Sequence, residues 1–393
     1  MNNILVINSG SSSLKFKVFS IADQKINLLL ASGRAEEIGD ESSRISIKFS
    51  ADNKTFTAEE TLKDHEAALA LVLAQLQNNS IEAPAAIGHR VVHGGGKLLK
   101  ECILDDEILQ IIEQCSSLAP LHNPANLTGI YAAKKMFKGT VQVGVFDTAF
   151  HSTMPVMAST YALPHELTEE GYKAYGFHGI SHEFIMRQLA ALTGKDTSET
   201  SLISCHLGNG ASLCAIKNGI SIDTSMGYTP LEGVVMGTRS GDIDAGLVLA
   251  LLKDKGYSTD ELDQLLNKKS GLLGISGLDN DMRTLLEKRT TVPRAELAIE
   301  IYCYRLARYI GSYLAILSSY VPVVFTAGVG ENSAYVRENT MRYLGHLGYL
   351  IDPSLNLETR NGLVSAESSH PIYVISTDEE KAIAEKTLAL LNS

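Results

Sequence analysis

Apolar residues along this chain fall into short runs that switch between two periods. Runs with strand-like spacing occur at 4–7, 14–19, 45–49, 86–92, 141–146, 202–205, 213–216, 322–327 and 372–375, which predicts β-strands there. Between many of them the spacing lengthens to the helical period. Helices are predicted over 64–77, 105–115, 124–137, 181–193, 243–254, 259–267, 295–318 and 378–391. Such alternation indicates α/β domains. No low-complexity tract separates the elements. The last helix follows strand 372–375, and we expect it to pack back on the first domain. That divides the chain into 1–150 plus 380–393, and 151–379.

The pattern breaks in an informative way near residue 10. Asn2-Asn3-Ile4-Leu5-Val6-Ile7-Asn8 runs into Ser9-Gly10-Ser11-Ser12-Ser13, and Leu14-Lys15-Phe16-Lys17-Val18-Phe19 follows with near period-2 alternation. The chain therefore returns as a strand and does not open a helix as a Walker-type loop would. Backbone N–H groups in a Gly/Ser turn, three hydroxyls and a nearby lysine make a concavity suited to phosphate oxygens; an ordinary polar hairpin turn has the same look. At 202–216 the pattern repeats: Leu202-Ile203-Ser204-Cys205-His206-Leu207-Gly208-Asn209-Gly210-Ala211-Ser212-Leu213-Cys214-Ala215-Ile216. Asn8 and His206 each precede a turn glycine by two residues. Ser13-Leu14 aligns with Ser212-Leu213 after a one-residue insertion. We read this as an internal duplication, in which two halves present phosphate turns to a nucleotide cleft.

Length and composition narrow the class. A chain of 393 residues and 45% hydrophobic content suits two globular domains. The net charge of −11 and the lack of any Lys/Arg run argue against nucleic acid. Cys102, Cys115, Cys205, Cys214 and Cys303 are odd in number and contain no C-x-x-C, so neither a disulfide framework nor a zinc site is expected. No signal peptide or membrane span is read. A cytoplasmic location is expected.

Candidate chemistry clusters at glycine-rich stretches. Arg239, in Met236-Gly237-Thr238-Arg239-Ser240-Gly241-Asp242, and Arg90, in Gly88-His89-Arg90-Val91-Val92-His93-Gly94-Gly95, suit two anions brought together, because a guanidinium stays charged and binds oxyanions bidentately. His122, His178 and His206 form the next group. His178 and His182 are four apart, yet Gly179 makes 178 a poor helical position and no H-E-x-x-H exists. His182 is expected to begin a helix behind Ser181 as N-cap. His178, set in glycines, is placed to donate to a transferring phosphoryl group. Asp147 ends the strand 141–146, at the carboxyl edge where open α/β sheets bind ligands. In Ser376-Thr377-Asp378-Glu379-Glu380, Thr377 with Glu380 fits a capping box, leaving Glu379 to reach Mg²⁺. Thr326-Ala327-Gly328-Val329-Gly330-Glu331-Asn332 is placed as an adenosine or phosphate loop would be.

Together, Asn8 to Lys15, His89 to Gly95, Gly176-Phe177-His178-Gly179, His206 to Gly210 and Met236 to Asp242 resemble the acetate kinase family, and the likeness runs from end to end. The resemblance implies the duplicated actin-like ATPase (ribonuclease H-like) fold shared with sugar kinases and Hsp70, a homodimer, and ATP or ADP as co-substrate. It implies Asn8 and Glu379 as ligands of Mg²⁺, with Mn²⁺ as the alternative ion, and places Ser11, Ser13 and Lys15 near the phosphates. Arg90 would bind the substrate carboxylate. Asp147 matches the family's catalytic aspartate, His178 and Arg239 its transition-state stabilisers, and His122 a phosphate-binding aid. Nucleotide loops match His206, Leu207, Gly208, Asn209 and Gly210; Asp281, Met282 and Arg283; and Gly328, Val329, Gly330, Glu331 and Asn332. Val92, Leu121, Phe177 and Pro230 match a small apolar pocket for a methyl group. The chain has Ser9, Ala245 and Asp378 where the family more often has Ala or Cys, Pro and Asn; Asp378 adds charge beside Glu379.

The reaction implied is in-line attack of a carboxylate on the γ-phosphorus of Mg·ATP, giving an acyl phosphate and ADP. Asp147 need not be a base there, since a carboxylic acid is already ionised near neutrality at a pKa of ~4; it would orient Arg239 or the substrate. Propionate kinase uses the same machinery, and one methylene is worth only ~1–3 kcal/mol of discrimination. A non-enzymatic actin-like scaffold is the reading from another class. It has no use for Arg90, Arg239, His122 and His178 beyond the γ-phosphate.

Overall fold

The structure, a computed structural model, describes residues 3–120 and 122–392. Leu121, read above as a pocket residue, lies outside them. The chain divides into two compact units, residues 1–150 with 378–393, and 151–377. Asp378 and Glu379 thus belong to the first unit.

In the first unit, strands β1 (Asn3–Ser9), β2 (Ser13–Ala22), β3 (Lys25–Glu36), β4 (Ser43–Phe49), β5 (Thr55–Glu60), β6 (Ala86–Val91), β7 (Cys102–Ile103) and β8 (Val141–Phe146) form one sheet in the order β5-β4-β3-β2-β1-β6-β8-β7. The first five strands make an antiparallel meander. β1, β6 and β8 are parallel. These parallel strands are nearly all buried, which is why they read as continuous apolar runs. Helix Asn123–Met136 packs on β1 and β6, and the closing helix Glu379–Leu391 packs on β1, β2, β3, β6 and β8.

That closing helix approaches β6 at Gly88. A Cβ there would stand 2.5 Å from Thr387 Oγ1 and 2.7 Å from Ile383 Cγ2, inside van der Waals contact, so the helix lies as close as it does only because Gly88 has no side chain. Gly88→Ala is expected to push the helix outward and destabilise the unit by about 1–3 kcal/mol, the usual penalty of overpacking. Urea unfolding measures this; an unchanged midpoint would rule out the tight approach.

The second unit has strands β9 (Leu202–Leu207), β10 (Ala211–Lys217), β11 (Ile220–Thr224), β12 (Val323–Thr326), β13 (Gly362–Leu363) and β14 (Ile372–Val374), ordered β11-β10-β9-β12-β14-β13. β9, β10 and β11 are antiparallel; β9, β12 and β14 are parallel. Five strands, β11-β10-β9-β12-β14, repeat the order and directions of β3-β2-β1-β6-β8. The duplicated actin-like α/β architecture is therefore present in both sheets. The 25-residue helix Pro293–Leu317 packs on β9 and β10 through buried residues that include Tyr302, Leu306 and Ile310.

Strand register corrects the alignment of the two turns. Asn8 pairs with Lys15 and Ser9 with Leu14, whereas His206 pairs with Ser212 and Leu207 with Ala211. Lys15 therefore corresponds to Ser212, not Ser13, and the second turn is one residue shorter. Each turn closes in the same manner: Gly10 N–H donates to the Ser13 carbonyl at 2.8 Å, and Gly208 N–H to the Gly210 carbonyl at 3.0 Å. Those glycine N–H groups are thus engaged within their own turns.

Candidate active site

The first unit assembles its candidate residues at the carboxyl ends of β1, β6 and β8. Asn8 and the turn Ser9 to Ser13 follow from β1, Arg90 and Val92 from β6, and Asp147 from β8. Two buried asparagines on the helix Asn123–Met136 fasten these ends together. Asn126 accepts the Val92 N–H at 3.0 Å and donates to the Ser9 carbonyl at 2.8 Å; Asn123 accepts from and donates to the backbone of His93. Periodicity alone would have filled such inward helix positions with apolar residues. His122 stands at the start of this helix, half-buried. His65 Nε2 lies 2.9 Å from the Gly10 carbonyl and pins the turn, while Ser11 and Lys15 are exposed and Ser13 is half-buried.

Arg90 is clamped by two carboxylates. Its Nε–H donates to both oxygens of Asp147 at 3.2 Å, Nη2 donates to Oδ2 at 2.7 Å, and Nη1 lies 3.6 Å from Glu379 Oε2. Burial opposes the charge on Arg90, but Asp147 and Glu379 more than restore it. Burial, helped by Glu379, pushes the pKa of Asp147 above the ordinary carboxylate value against the pull of Arg90. One cation thus faces two carboxylates, and the surplus negative charge suits a metal cation.

The three consecutive acids at 378–380 take different partners. Lys17 Nζ bonds Asp378 Oδ1 at 2.8 Å and lies 3.4 Å from Glu380 Oε2; burial lowers the lysine's pKa, yet these two carboxylates raise it overall. Glu379 is the one turned to Arg90. The capping box expected for Thr377 and Glu380 is not formed: Asp378 is the N-cap and accepts the Lys381 N–H at 2.9 Å. A side-chain carboxylate one residue closer to the helix, already held by Lys17, takes that place. Asp378 therefore brings its own neutralising partner.

In the second unit the helix Gly179–Thr193 starts earlier than expected, with His178 as its N-cap residue in the left-handed region at φ 58°. Ser181 is not a cap; it lies inside the helix, buried, and its Oγ is 2.8 Å from both His206 Nδ1 and Thr377 Oγ1. The His178 ring stacks on His206 with centroids 4.3 Å apart. Around Gly210 two candidate groups converge: His178 Nε2 and Arg239 Nη1 each lie 3.6 Å from where a Cβ would be. Arg239 Nη1 donates to the Pro230 carbonyl at 3.3 Å. Among the described residues no carboxylate lies within ion-pair distance of this guanidinium, and burial lowers its pKa. The loop carrying Arg239 is seated by Gly237, whose N–H donates to the Asn209 carbonyl at 2.9 Å and whose absent Cβ would sit 2.0 Å from Asn209 Oδ1. Phe177 is 1% exposed and Pro230 half-buried.

A cavity of about 640 Å³ opens beside this group. Gly208, Asn209, Asp281, Met282, Arg283, Gly328, Val329 and Asn332 line it, with Leu272 and Leu286 as apolar walls. The residues are of the kind that small-molecule pockets use, an apolar body with a few fixed polar groups. Asp281 caps the helix Met282–Lys288 and pairs with Arg283. Asn280 Nδ2 donates to Asn209 Oδ1 at 2.9 Å. Three loop residues face elsewhere. Glu331 Oε1 accepts the N–H groups of Ala327 and Thr377 at 2.9 and 3.1 Å, the Gly330 carbonyl accepts from the buried Arg337, and Leu207 is fully buried.

The acetokinase family matches residues 3–385. An acetate kinase of Brachyspira hyodysenteriae is 47% identical over 99% of both chains. The crystal structure of Porphyromonas gingivalis acetate kinase, 37% identical, superposes with a TM-score of 0.92 over 100% of both chains. A propionate kinase from Francisella tularensis, 39% identical, covers 99% of this chain and 100% of its own with a TM-score of 0.94. With a matching family profile over nearly its whole length and full-length relatives well above 30% identity, the chain belongs to the acetokinase family.

Proposed function

We propose that the protein is an acetate kinase, transferring the γ-phosphoryl group of ATP reversibly to acetate and giving acetyl phosphate and ADP. The observation that carries this reading is the contrast between the two arginines. Arg90 is held by Asp147 and Glu379, whereas Arg239 is a cation that meets only the Pro230 carbonyl and Met236 sulfur. A partly buried guanidinium without a counter-ion is poised for an anion that arrives with the substrate.

The roles follow from that difference. In the second unit the cavity takes the nucleoside, and Arg239 and His178 meet charge on the equatorial oxygens of the transferring group. In the first unit Arg90 orients the acetate carboxylate, itself held in one plane by Asp147. Both Asp147 oxygens are already engaged by Arg90, which fits orientation and leaves no proton-accepting task. An acetate oxygen bonds to the γ-phosphorus as the bond from phosphorus to the β,γ-bridging oxygen breaks, and ADP leaves. Among the described residues no cluster of three or more His, Cys, Asp or Glu side chains forms a metal cage; that fits Mg²⁺, which keeps waters and phosphate oxygens and needs few protein ligands. Asn8 and Glu379 would hold it, at the surplus negative charge of Asp147 and Glu379. When bound there, it would neutralise negative charge on the phosphates of ATP. Val92 would meet the methyl group.

Acyl hydroxamate trapping with Mg·ATP and formate, acetate, propionate or butyrate tests the assignment. Acetate is expected to give the highest kcat/KM. A lead for propionate would move the protein to the relative's specificity, and ATP binding without product from any acid would leave only the scaffold.

We also infer a homodimer. Helix Ala245–Asp254 reads AGLVLALLKD yet contains no buried residue, and Leu247 and Leu249 are 48% and 52% exposed. A helix that apolar needs a cover. Sedimentation should give twice 42.5 kDa, and Leu249→Glu is expected to yield monomer; a wild-type monomer at micromolar concentration would refute this. No helix of the described residues is long and apolar enough to cross a membrane. All five cysteines are free thiols, which supports a reducing, cytoplasmic setting.

A further inference from the structure

Two imidazoles of the second unit share one serine hydroxyl. Ser212 Oγ lies 2.9 Å from His178 Nδ1 and 2.8 Å from His182 Nε2, and Ser204 Oγ lies 2.9 Å from Nδ1 of that same His182. Ser204, Ser212 and His182 are 0% exposed. Water cannot exchange roles with any of them.

The hydrogens in this chain can be counted. Burial, then the neighbouring His151 and His206, hold the His182 pKa well below its ordinary value, so His182 is neutral and carries one ring hydrogen. A serine hydroxyl has one hydrogen, so of the two ring nitrogens around Ser212 one receives it and the other must itself be an N–H donor. If both rings donated, the buried hydroxyl hydrogen would be left without an acceptor, a desolvation penalty with no return.

Two directions remain. In one, His178 Nδ1–H donates to Ser212, Ser212 to His182 Nε2, and His182 Nδ1–H to Ser204. The Ser204 hydrogen then has no acceptor, since its Oγ meets no other group among the described residues. In the other, Ser204 donates to His182 Nδ1, His182 Nε2–H to Ser212, and Ser212 to His178 Nδ1. Every buried hydrogen is used. This direction puts the hydrogen of His178 on Nε2, the atom that faces Gly210 with Arg239 Nη1.

We propose that Ser204, His182 and Ser212 are positioning residues that form a one-way hydrogen-bond chain and lock His178 as its Nε2–H tautomer, a standing donor for the transferring phosphoryl group. The proposal rests on the reading of His178 given above and adds what fixes its proton. A neutral donor also spares the site a second cation beside Arg239. The neighbouring stack with His206 fixes the ring plane; the serine chain fixes which nitrogen carries the hydrogen.

The test begins with the full-length wild-type protein labelled with ¹⁵N-histidine. Long-range ¹H–¹⁵N correlation spectra, assigned by the signals lost in His178→Asn, are expected to show His178 with a bare Nδ1 and a protonated Nε2. A protonated Nδ1 on His178 overturns the proposal, whatever the activity of the enzyme, so this readout is separate from the substrate assay above. Ser204 touches neither His178 nor the nucleotide cavity, yet Ser204→Ala is expected to lower kcat two- to fivefold, leave KM for ATP and acetate within twofold, and bring in an Nδ1–H signal on His178. Ser204→Thr should restore both. Ser212→Ala should lower kcat tenfold or more. A Ser204→Ala enzyme with unchanged kcat, or with a raised KM alone, would show that the serine merely packs the strand and would overturn the chain.

Discussion

Arg239→Ala is expected to lower kcat for acetyl phosphate formation by about a thousandfold or more, the range an arginine contributes to phosphoryl transfer, with no loss of thermal stability. The side chain satisfies no buried carboxylate; it donates to one carbonyl and is partly desolvated. Removing it relieves desolvation and leaves nothing charged behind. Arg90→Ala makes the informative contrast. Asp147, 1% exposed, would be left beside Glu379 with no cation to answer it, and breaking a buried pair from one side costs about 3–5 kcal/mol. Arg90→Ala should therefore lose activity and several degrees of melting temperature together. Paired kinetics and thermal unfolding decide it: an Arg239→Ala enzyme retaining a tenth of wild-type kcat would remove Arg239 from the transition state, and an Arg90→Ala protein as stable as wild type would mean that the clamp is solvated.

The second large effect is acid destabilisation, set by histidines that the fold keeps neutral. Burial lowers the pKa of His89, His93 and His151 from 6.5 to about 4 and that of His182 well below 6.5. In the unfolded chain each binds a proton near pH 6.5; in the fold His89, His93 and His151 do not until about pH 4, and His182 not until well below 6.5. The unfolded state therefore holds more protons across this window, and stability falls as the pH drops through it. Each such histidine contributes ~1.4 kcal/mol per pH unit, so His89, His93 and His151 alone remove on the order of 8 kcal/mol between pH 6.5 and 4.5, comparable with the whole stability of a domain, and His182 acts in the same sense. Asp223 acts in the opposite sense. Burial raises its pKa to about 6, so the folded state takes up a proton first and regains part of that loss. Urea unfolding from pH 7.5 to 4.5 should show a steep decline beginning near pH 6.5; a flat profile down to pH 5 would mean that water reaches these rings.

The parallel strands were legible because burial on both faces leaves apolar runs. β3, β5 and β11 were not read. Lys25–Glu36 is largely half-exposed, and Thr55–Glu60 forms the outer edge of its sheet, so neither carries a clean alternation. Short helices in the second unit escaped for another reason. Gly271–Ser276 and Ala327–Asn332 read as GLLGIS and AGVGEN, compositions of turns, and the second opens from Ala327 at φ 62°, where a glycine would be expected. Residues of the site were found through their motifs, while their supports were not. Asn123, Asn126, Ser204 and Ser212 sit at helix or strand positions that periodicity assigns to the core, and only the hydrogen bonds show why they are polar. A hydroxyl before a helical run signals a cap, yet Ser181 and Thr377 instead serve a network closed by tertiary contacts.

The helix Glu379–Leu391 has a consequence for how the protein is made. It covers the sheet that begins at Asn3 and carries Glu379, yet residues 151–377 separate it from the rest of its unit. On the ribosome the first 150 residues emerge with the surface around Gly88, Ile383's later seat, still bare. The whole second unit must be synthesised before that surface is covered, so the first unit to be translated is the last to be finished.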